Sequence, residues 1–85
     1  MTDLTRKEVE ILAMFEHAFE IIKGQELLIK KGLPKKEIEQ LIEILKKDGY
    51  LEEADTPLGK TLCTIYSKIS IGELNQLKKN FVIRK

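Results

Sequence analysis

The clearest helical pattern of apolar and polar positions lies between Pro34 and Gly49. Its apolar residues recur at intervals of three and four, as on a helix with one face in a core: Ile38, Leu41, Ile42 and Leu45. Proline suits the start of a helix, and glycine suits the position just past its end. The pattern therefore predicts an amphipathic helix between these two residues, with the apolar stripe facing the core.

Two shorter helices are predicted before it. Thr5 and Glu8 form a capping box, in which each side chain satisfies a free amide at a helix start, and this helix is expected to reach about residue 17. Residues 19–23 favour an extended piece, because they are rich in β-branched and aromatic side chains. A short helix is expected over residues 25–31. Glycines that suit its two ends flank it: Gly24 and Gly32.

The second half of the chain is predicted to hold two more helices. Thr56 and Pro57 look like a cap residue followed by proline at the first helical position. Apolar residues then repeat at alternating four- and three-residue steps, the narrow seam by which helices pair: Leu58, Leu62, Ile65 and Ile69. Such a seam is either ordinary core or a subunit interface. A second capping box, Ser70 with Glu73, starts the last helix.

We expect residues 56–81 to form a homodimer interface, because one small core hardly covers two further helices. The residues expected in this interface are Leu58, Leu62, Ile65, Tyr66 and Ile69.

Composition limits the kinds of protein that this chain can be. Its 85 residues, 42% hydrophobic and 34% charged, suit one domain over residues 1–85 with a modest core. No apolar run approaches the roughly 18 residues of a membrane span, and the first residues lack the features of a signal peptide. Cys63 and His17 are the sole residues of their types, so a disulfide within the chain is impossible and a metal site is not expected. We expect a cytoplasmic protein without cofactor, metal or membrane partner.

Enzyme activity is not expected either. The chain has no glycine-rich phosphate loop, no nucleophile elbow and no metal-ligand spacing. Its carboxylate pairs, such as Glu39 with Glu43, fall on the predicted outer face of a helix and not in a pocket.

Charge is unevenly distributed although the net charge is only +1. Residues 30–36 and 56–85 are basic, whereas residues 1–29 and 37–55 are acidic. Any affinity for a polyanion therefore depends on the two basic segments.

The middle of the chain has a recognisable sequence of elements. A short helix is followed by the tight turn Gly32-Leu33-Pro34, an amphipathic helix and the exit Lys47-Asp48-Gly49-Tyr50-Leu51-Glu52. This run resembles the helix-turn-helix of winged-helix DNA-binding proteins, in particular small archaeal members. Thr56-Pro57-Leu58-Gly59-Lys60 also looks like the family's entry into the helix after the wing, and residues 56–66 are similar to a stretch in winged-helix domains of archaeal superfamily-two helicases.

The resemblance implies a mainly α fold. Residues 5–55 would form the helix-turn-helix core with short strands, and residues 56–81 would form additional C-terminal helices. Four mostly acidic residues separate the two parts, too few for a two-stranded wing: Glu52, Glu53, Ala54 and Asp55. The wing is therefore expected to be reduced.

The resemblance also implies binding of double-stranded DNA, as a dimeric transcriptional regulator. The residues expected to make contact are Lys30, Lys31, Lys35, Lys36, Gln40 and Lys47. Glu39 and Glu43 share the outer face of the predicted recognition helix and oppose phosphate. The alternative is a protein–protein interaction module of a larger assembly, which the acidic helix and the reduced wing favour.

Overall fold

The protein is described by a computed structural model covering residues 4–82. Seven elements follow one another: α1 (Arg6–Met14), β1 (Phe19–Glu20), α2 (Ile21–Lys30), α3 (Lys35–Lys47), β2 (Leu51–Thr56), β3 (Gly59–Thr64) and α4 (Ile71–Val82). The three strands form an antiparallel sheet in the order β1-β3-β2. The fold is therefore mixed α/β, and the expectation of a mainly α fold is corrected accordingly.

The helix predicted after Thr56 does not form. Strands β2 and β3 instead make a hairpin that pairs fully, from Leu51 opposite Thr64 to Thr56 opposite Gly59. The prediction of a reduced wing with additional C-terminal helices is wrong for the same reason: residues 51–64 provide two six-residue strands, and one C-terminal helix is described.

The tip of the hairpin explains this error. The Thr56 hydroxyl donates a hydrogen bond to the Gly59 carbonyl at 2.7 Å and accepts one from the Leu58 amide at 3.2 Å. Gly59 has a φ of +126°, which a residue with a Cβ rarely adopts. A threonine followed by proline therefore starts a turn here and not a helix.

The helix ends that the sequence predicts are mostly confirmed. At α1 the Thr5 amide donates to the Glu8 carboxylate at 2.9 Å, and the Glu8 amide donates to the Thr5 hydroxyl at 3.3 Å. Helices α2 and α3 are each followed, two residues after their last residue, by a glycine with positive φ, Gly32 and Gly49. In each case the next residue's amide reaches back to a carbonyl in the last helical turn, which satisfies acceptors that would otherwise be free: Leu33 to Leu28 and Tyr50 to Leu45.

Helix α1 ends at Met14, earlier than predicted, where distant residues bind carbonyls of its last turn and of the residues just after it. The Leu12 carbonyl accepts from the Thr64 hydroxyl at 2.9 Å, and the Phe15 carbonyl accepts from the Thr64 amide at 2.8 Å. The Glu16 carbonyl accepts from the Tyr66 hydroxyl at 2.7 Å. These groups come from β3 and the loop after it, so the end of α1 depends on the tertiary fold.

The core lies between the sheet and the helices. Its buried apolar residues are Val9, Ile11, Leu12, Phe15, Leu28, Leu33, Ile38, Ile42, Leu45, Leu51, Leu62, Ile69 and Leu74. Three residues of the predicted stripe on α3 are buried as expected, and Leu41 is partly buried. Helix α4 packs mainly against α1. Its N-cap is confirmed by a 3.1 Å hydrogen bond from the Glu73 amide to the Ser70 hydroxyl.

Gly24 lies inside α2 and not at its end as predicted, because the helix begins at Ile21. A Cβ placed on Gly24 would lie 2.4 Å from Cζ of Phe15, a fully buried ring. Only glycine lets α2 approach the ring this closely.

We expect Gly24→Ala to lower the free energy of unfolding by about 1–3 kcal/mol, the usual cost of forcing atoms into a packed core. Chemical denaturation measures the change. The matched control is Gly72→Ala, which adds a methyl group to a helix where no atom lies within 4 Å. This control is expected to leave stability unchanged or to raise it by up to about 1 kcal/mol. A Gly24→Ala variant as stable as the parent would contradict the close packing.

Candidate nucleic-acid interface

The connection between α2 and α3 positions a cluster of basic side chains at the surface. Leu33, at the centre of this connection, is buried and anchors it to the core. The lysines on either side are all exposed, and we call them the lysine turn: Lys30, Lys31, Lys35 and Lys36. The structure thus places these four predicted contact residues around one connection of the fold, at the end of α2 and the start of α3.

No carboxylate within the described part of the chain neutralises the lysine turn. Lysines elsewhere do form ion pairs, for example Lys60 with Glu53 at 3.4 Å and Lys78 with Glu16 at 3.2 Å. No residue between 4 and 82 lies within ion-pair distance of the four lysines of the turn. Unpaired ammonium groups remain available to an anion.

The start of α3 adds hydrogen-bond donors to the same place. Its N-cap residue is Pro34, which has no side chain able to cap the helix. The first backbone amides of α3 have no acceptor in the preceding turn, and they carry the positive end of the helix dipole. The lysine turn therefore surrounds a helix end that itself favours negative charge.

The outer face of α3 continues from the lysine turn. At 100° per residue, Lys36, Gln40 and Lys47 point away from the buried stripe, and all three are exposed. The Gln40 amide and the Lys47 ammonium have no partner between residues 4 and 82. An uncommitted amide on such a face can donate and accept one hydrogen bond each, as an adenine edge requires.

The acidic residues of α3 are neutralised to different degrees. Glu37 pairs with Lys7 of α1 at 2.7 Å, and Glu43 pairs with Lys46 at 3.3 Å. Glu39 is exposed and has no cation within 4 Å in the described part of the chain. The negative charge on this face is therefore smaller than the sequence suggests.

The hairpin carries a second group of acids, and Glu53 is held most firmly among them. Its carboxylate accepts from Lys46 of α3 at 2.7 Å and lies 3.4 Å from Lys60. The hydrogen bond from Lys46 lowers the pKa of Glu53, and the same bond raises the pKa of Lys46. Both groups are therefore charged at neutral pH. Glu52 and Asp55 are exposed and unpaired among the described residues.

The residues predicted to form a dimer seam do not share one surface. Leu62 and Ile69 are 0% and 1% exposed and belong to the core, whereas Leu58 is 86% exposed at the hairpin tip. Ile65 and Tyr66 are half-buried. The Tyr66 hydroxyl donates to the Glu16 carbonyl, and burial is the main cause that raises the pKa of this phenol. That the protein forms a homodimer stays a prediction, but these five residues do not provide one continuous interface for it.

One feature that the sequence pattern did not reveal is an apolar patch beside the hairpin tip. Leu58 lies next to Ile22, which is 71% exposed on α2, and together they border a shallow cavity of about 240 Å³. The sequence does show Ile22 and Leu58 as apolar residues in polar surroundings. Their proximity, however, depends on how the hairpin folds over α2.

The remaining candidate residues do not converge on a reactive site. His17 is exposed, and the half-buried Cys63 thiol lies 3.7 Å from the Thr64 carbonyl oxygen. Within residues 4–82, no three histidine, cysteine or acidic side chains are grouped so that they could hold a metal ion. None of the helices over those residues has the length and apolar character needed to cross a bilayer.

The lysine turn and the outer face of α3 form the candidate site. Comparison of the chain with protein-family models, with curated proteins and with solved structures found no match.

Proposed function

We propose that the chain is a winged-helix domain that binds double-stranded DNA through the lysine turn and the outer face of α3. The observation that carries this proposal is the set of four exposed lysines around an uncapped helix start, none of which has an ion-pair partner among residues 4–82. Proteins that bind a duplex owe most of their affinity to lysine and arginine contacts with phosphates. In this proposal the protein acts as a transcriptional regulator and has no enzymatic activity.

The order of the elements supports the proposal. The chain forms a helix, a short strand, two helices joined by a tight turn and then a hairpin. This order of elements is compatible with a winged helix. The hairpin of β2 and β3 corresponds to a two-stranded wing. In this arrangement α3 takes the place of the recognition helix, whose exposed face lies in the major groove.

Binding is expected to be modest and led by phosphate contacts. Contact with about three or four phosphates gives a slope near −3 for log K against log salt, from about −0.9 per contact. The test is a titration of fluorescent duplex DNA at several salt concentrations. Binding with a slope near this value supports the proposal, and no binding at any salt concentration rejects it.

The two acids of α3 provide a further test. We expect Glu39→Gln to strengthen nonspecific duplex binding about two- to fivefold, because it removes an uncompensated charge next to phosphate. Glu43→Gln is expected to change binding by less than about twofold, since Lys46 already neutralises this carboxylate. The same titration measures both variants. Equal effects would mean that the ion pair does not screen Glu43.

A protein–protein interaction module is the second candidate, and the apolar patch of Leu58 and Ile22 is the observation that favours it. Exposed apolar surface next to a cavity is typical of protein contacts. Lys60 and Lys78 are paired with carboxylates and do not extend the positive surface beyond the lysine turn and α3. This candidate takes precedence if the chain fails to bind duplex DNA and Leu58→Ser abolishes association with a partner protein.

A further inference from the structure

Lys46 occupies the junction between the candidate site and the hairpin. It lies in the last turn of α3, and its ammonium group reaches carboxylates on two different elements. It lies 3.3 Å from Glu43 on its own helix and 2.7 Å from Glu53 on β2. Among the described residues, no other lysine lies within ion-pair distance of two acids.

We infer that Lys46 is a positioning residue for the proposed DNA-binding face: it neutralises Glu43 and Glu53 and fastens the hairpin to α3, without contacting phosphate itself. This inference rests on the proposed function.

The burial of Lys46 separates it from the lysines that are expected to touch DNA. Its side chain is 29% exposed and that of Glu53 is 26% exposed, whereas the lysines of the lysine turn are exposed. Its ammonium group is engaged on both sides, so a phosphate would have to displace a carboxylate to bind it. An ammonium group that is held by two carboxylates changes the charge of the surface without binding phosphate itself.

Comparison with Lys60 shows why Lys46 contributes more to neutralising these acids. Lys60 lies 3.4 Å from Glu53 but is itself 64% exposed, and it reaches no second carboxylate between residues 4 and 82. Exposed pairs of this kind contribute little, because water and salt screen them. Loss of Lys60 leaves Glu53 bound to Lys46, whereas loss of Lys46 frees Glu43 completely and leaves Glu53 with the exposed lysine alone.

The loss of Lys46 would therefore place two carboxylates beside the phosphate backbone. Glu43 lies one turn from Gln40 on the outer face of α3. Glu53 links this helix end to the hairpin, and the nearby Glu52 and Asp55 have no cation partner within the described residues. With Lys46 absent, the hairpin also loses its 2.7 Å bond to α3.

The test is a set of charge variants measured by duplex titration over a range of salt concentrations. Lys46→Gln in the parent is expected to weaken binding about tenfold at 0.1 M salt, the size of one lost phosphate contact. Adding Glu43→Gln and Glu53→Gln to Lys46→Gln removes the freed carboxylates, and this triple variant is expected to bind at least as well as the parent and with the parent's salt slope. Lys46→Arg is expected to bind like the parent, because it keeps the charge between the two acids.

Lys60→Gln is the matched control and is expected to weaken binding less than twofold. Thermal unfolding of each variant shows that it is folded under the binding conditions. A salt slope that stays about 0.9 shallower than the parent's in the triple variant, or no loss for Lys46→Gln alone, overturns the inference, because Lys46 would then act as a direct ligand or have no role. If the parent itself does not bind the duplex, the proposed function is rejected and the role of Lys46 in it is rejected as well.

Discussion

Replacing Lys35 and Lys36 together by alanine is expected to weaken binding to any duplex about 60-fold at 0.1 M salt. The estimate follows from the loss of two phosphate contacts, each of which changes the slope of log K against log salt by about 0.9. The slope should therefore fall from about −3 to about −1. Both side chains are exposed at the start of α3 and have no ion-pair partner between residues 4 and 82, so their loss frees no buried carboxylate.

Two control variants separate this effect from a general loss of charge. Lys79→Ala removes an exposed lysine of α4 that has no ion-pair partner in the described part of the chain, and it is expected to change binding less than twofold. Gln40→Ala is expected to alter the preference between sequences and to leave the salt slope unchanged, because an amide reads bases and does not bind phosphate as a cation. If the lysine double variant binds duplex as well as the parent at every salt concentration, the lysine turn is not the DNA-binding surface.

The second large effect concerns stability and compares two leucines of the hairpin. Leu62→Ala is expected to lower the free energy of unfolding by about 2–5 kcal/mol, because it empties space in the core. Leu62 is fully buried on β3, the central strand of the sheet. It lies between β2 on one side and Phe19 of β1 on the other. A protein of this size has a total stability of about 4–13 kcal/mol, so this single change removes a large share of it.

Leu58→Ala is the matched variant and is expected to change stability by no more than about 0.5 kcal/mol. Leu58 is 86% exposed at the hairpin tip. Urea denaturation followed by circular dichroism measures both variants. A helical seam would instead place both leucines on one face, and truncating either of them would then have a similar effect. Similar costs for the two changes would thus contradict the hairpin.

The comparison of these two leucines shows where sequence reasoning fails. Positions 58 and 62 are four residues apart, a spacing that repeats on a helix but also returns to the same face of a strand. Proline after threonine suits the start of a helix and also the start of a turn. The local pattern alone does not distinguish these possibilities. Pairing decides for the strand: β3 pairs with its neighbour β2 and also with β1, which is distant in sequence from the hairpin.

The candidate site was partly predictable for a related reason. The exposure of the lysine turn follows from local features: a helix that ends just before Gly32, a buried Leu33 and a helix that starts after Pro34. The charge of the surrounding surface does not follow from local features. Glu37 is neutralised by Lys7, which is 30 residues away, and Glu53 is neutralised by Lys46 from another element.

The sequence by itself determined the capping box of α1, the apolar stripe of α3 and the glycine ends of α2 and α3. Each of these depends on contacts within one or two helical turns, so the necessary residues are close together in the chain. Only the tertiary structure decided that residues 51–64 form a hairpin, that α1 ends at Met14 and that Gly24 packs against Phe15. The end of α1 depends on hydrogen bonds from residues 50 and 52 positions away. The hairpin and the Gly24 contact depend on pairing and packing between different elements, which a pattern within one or two helical turns does not contain.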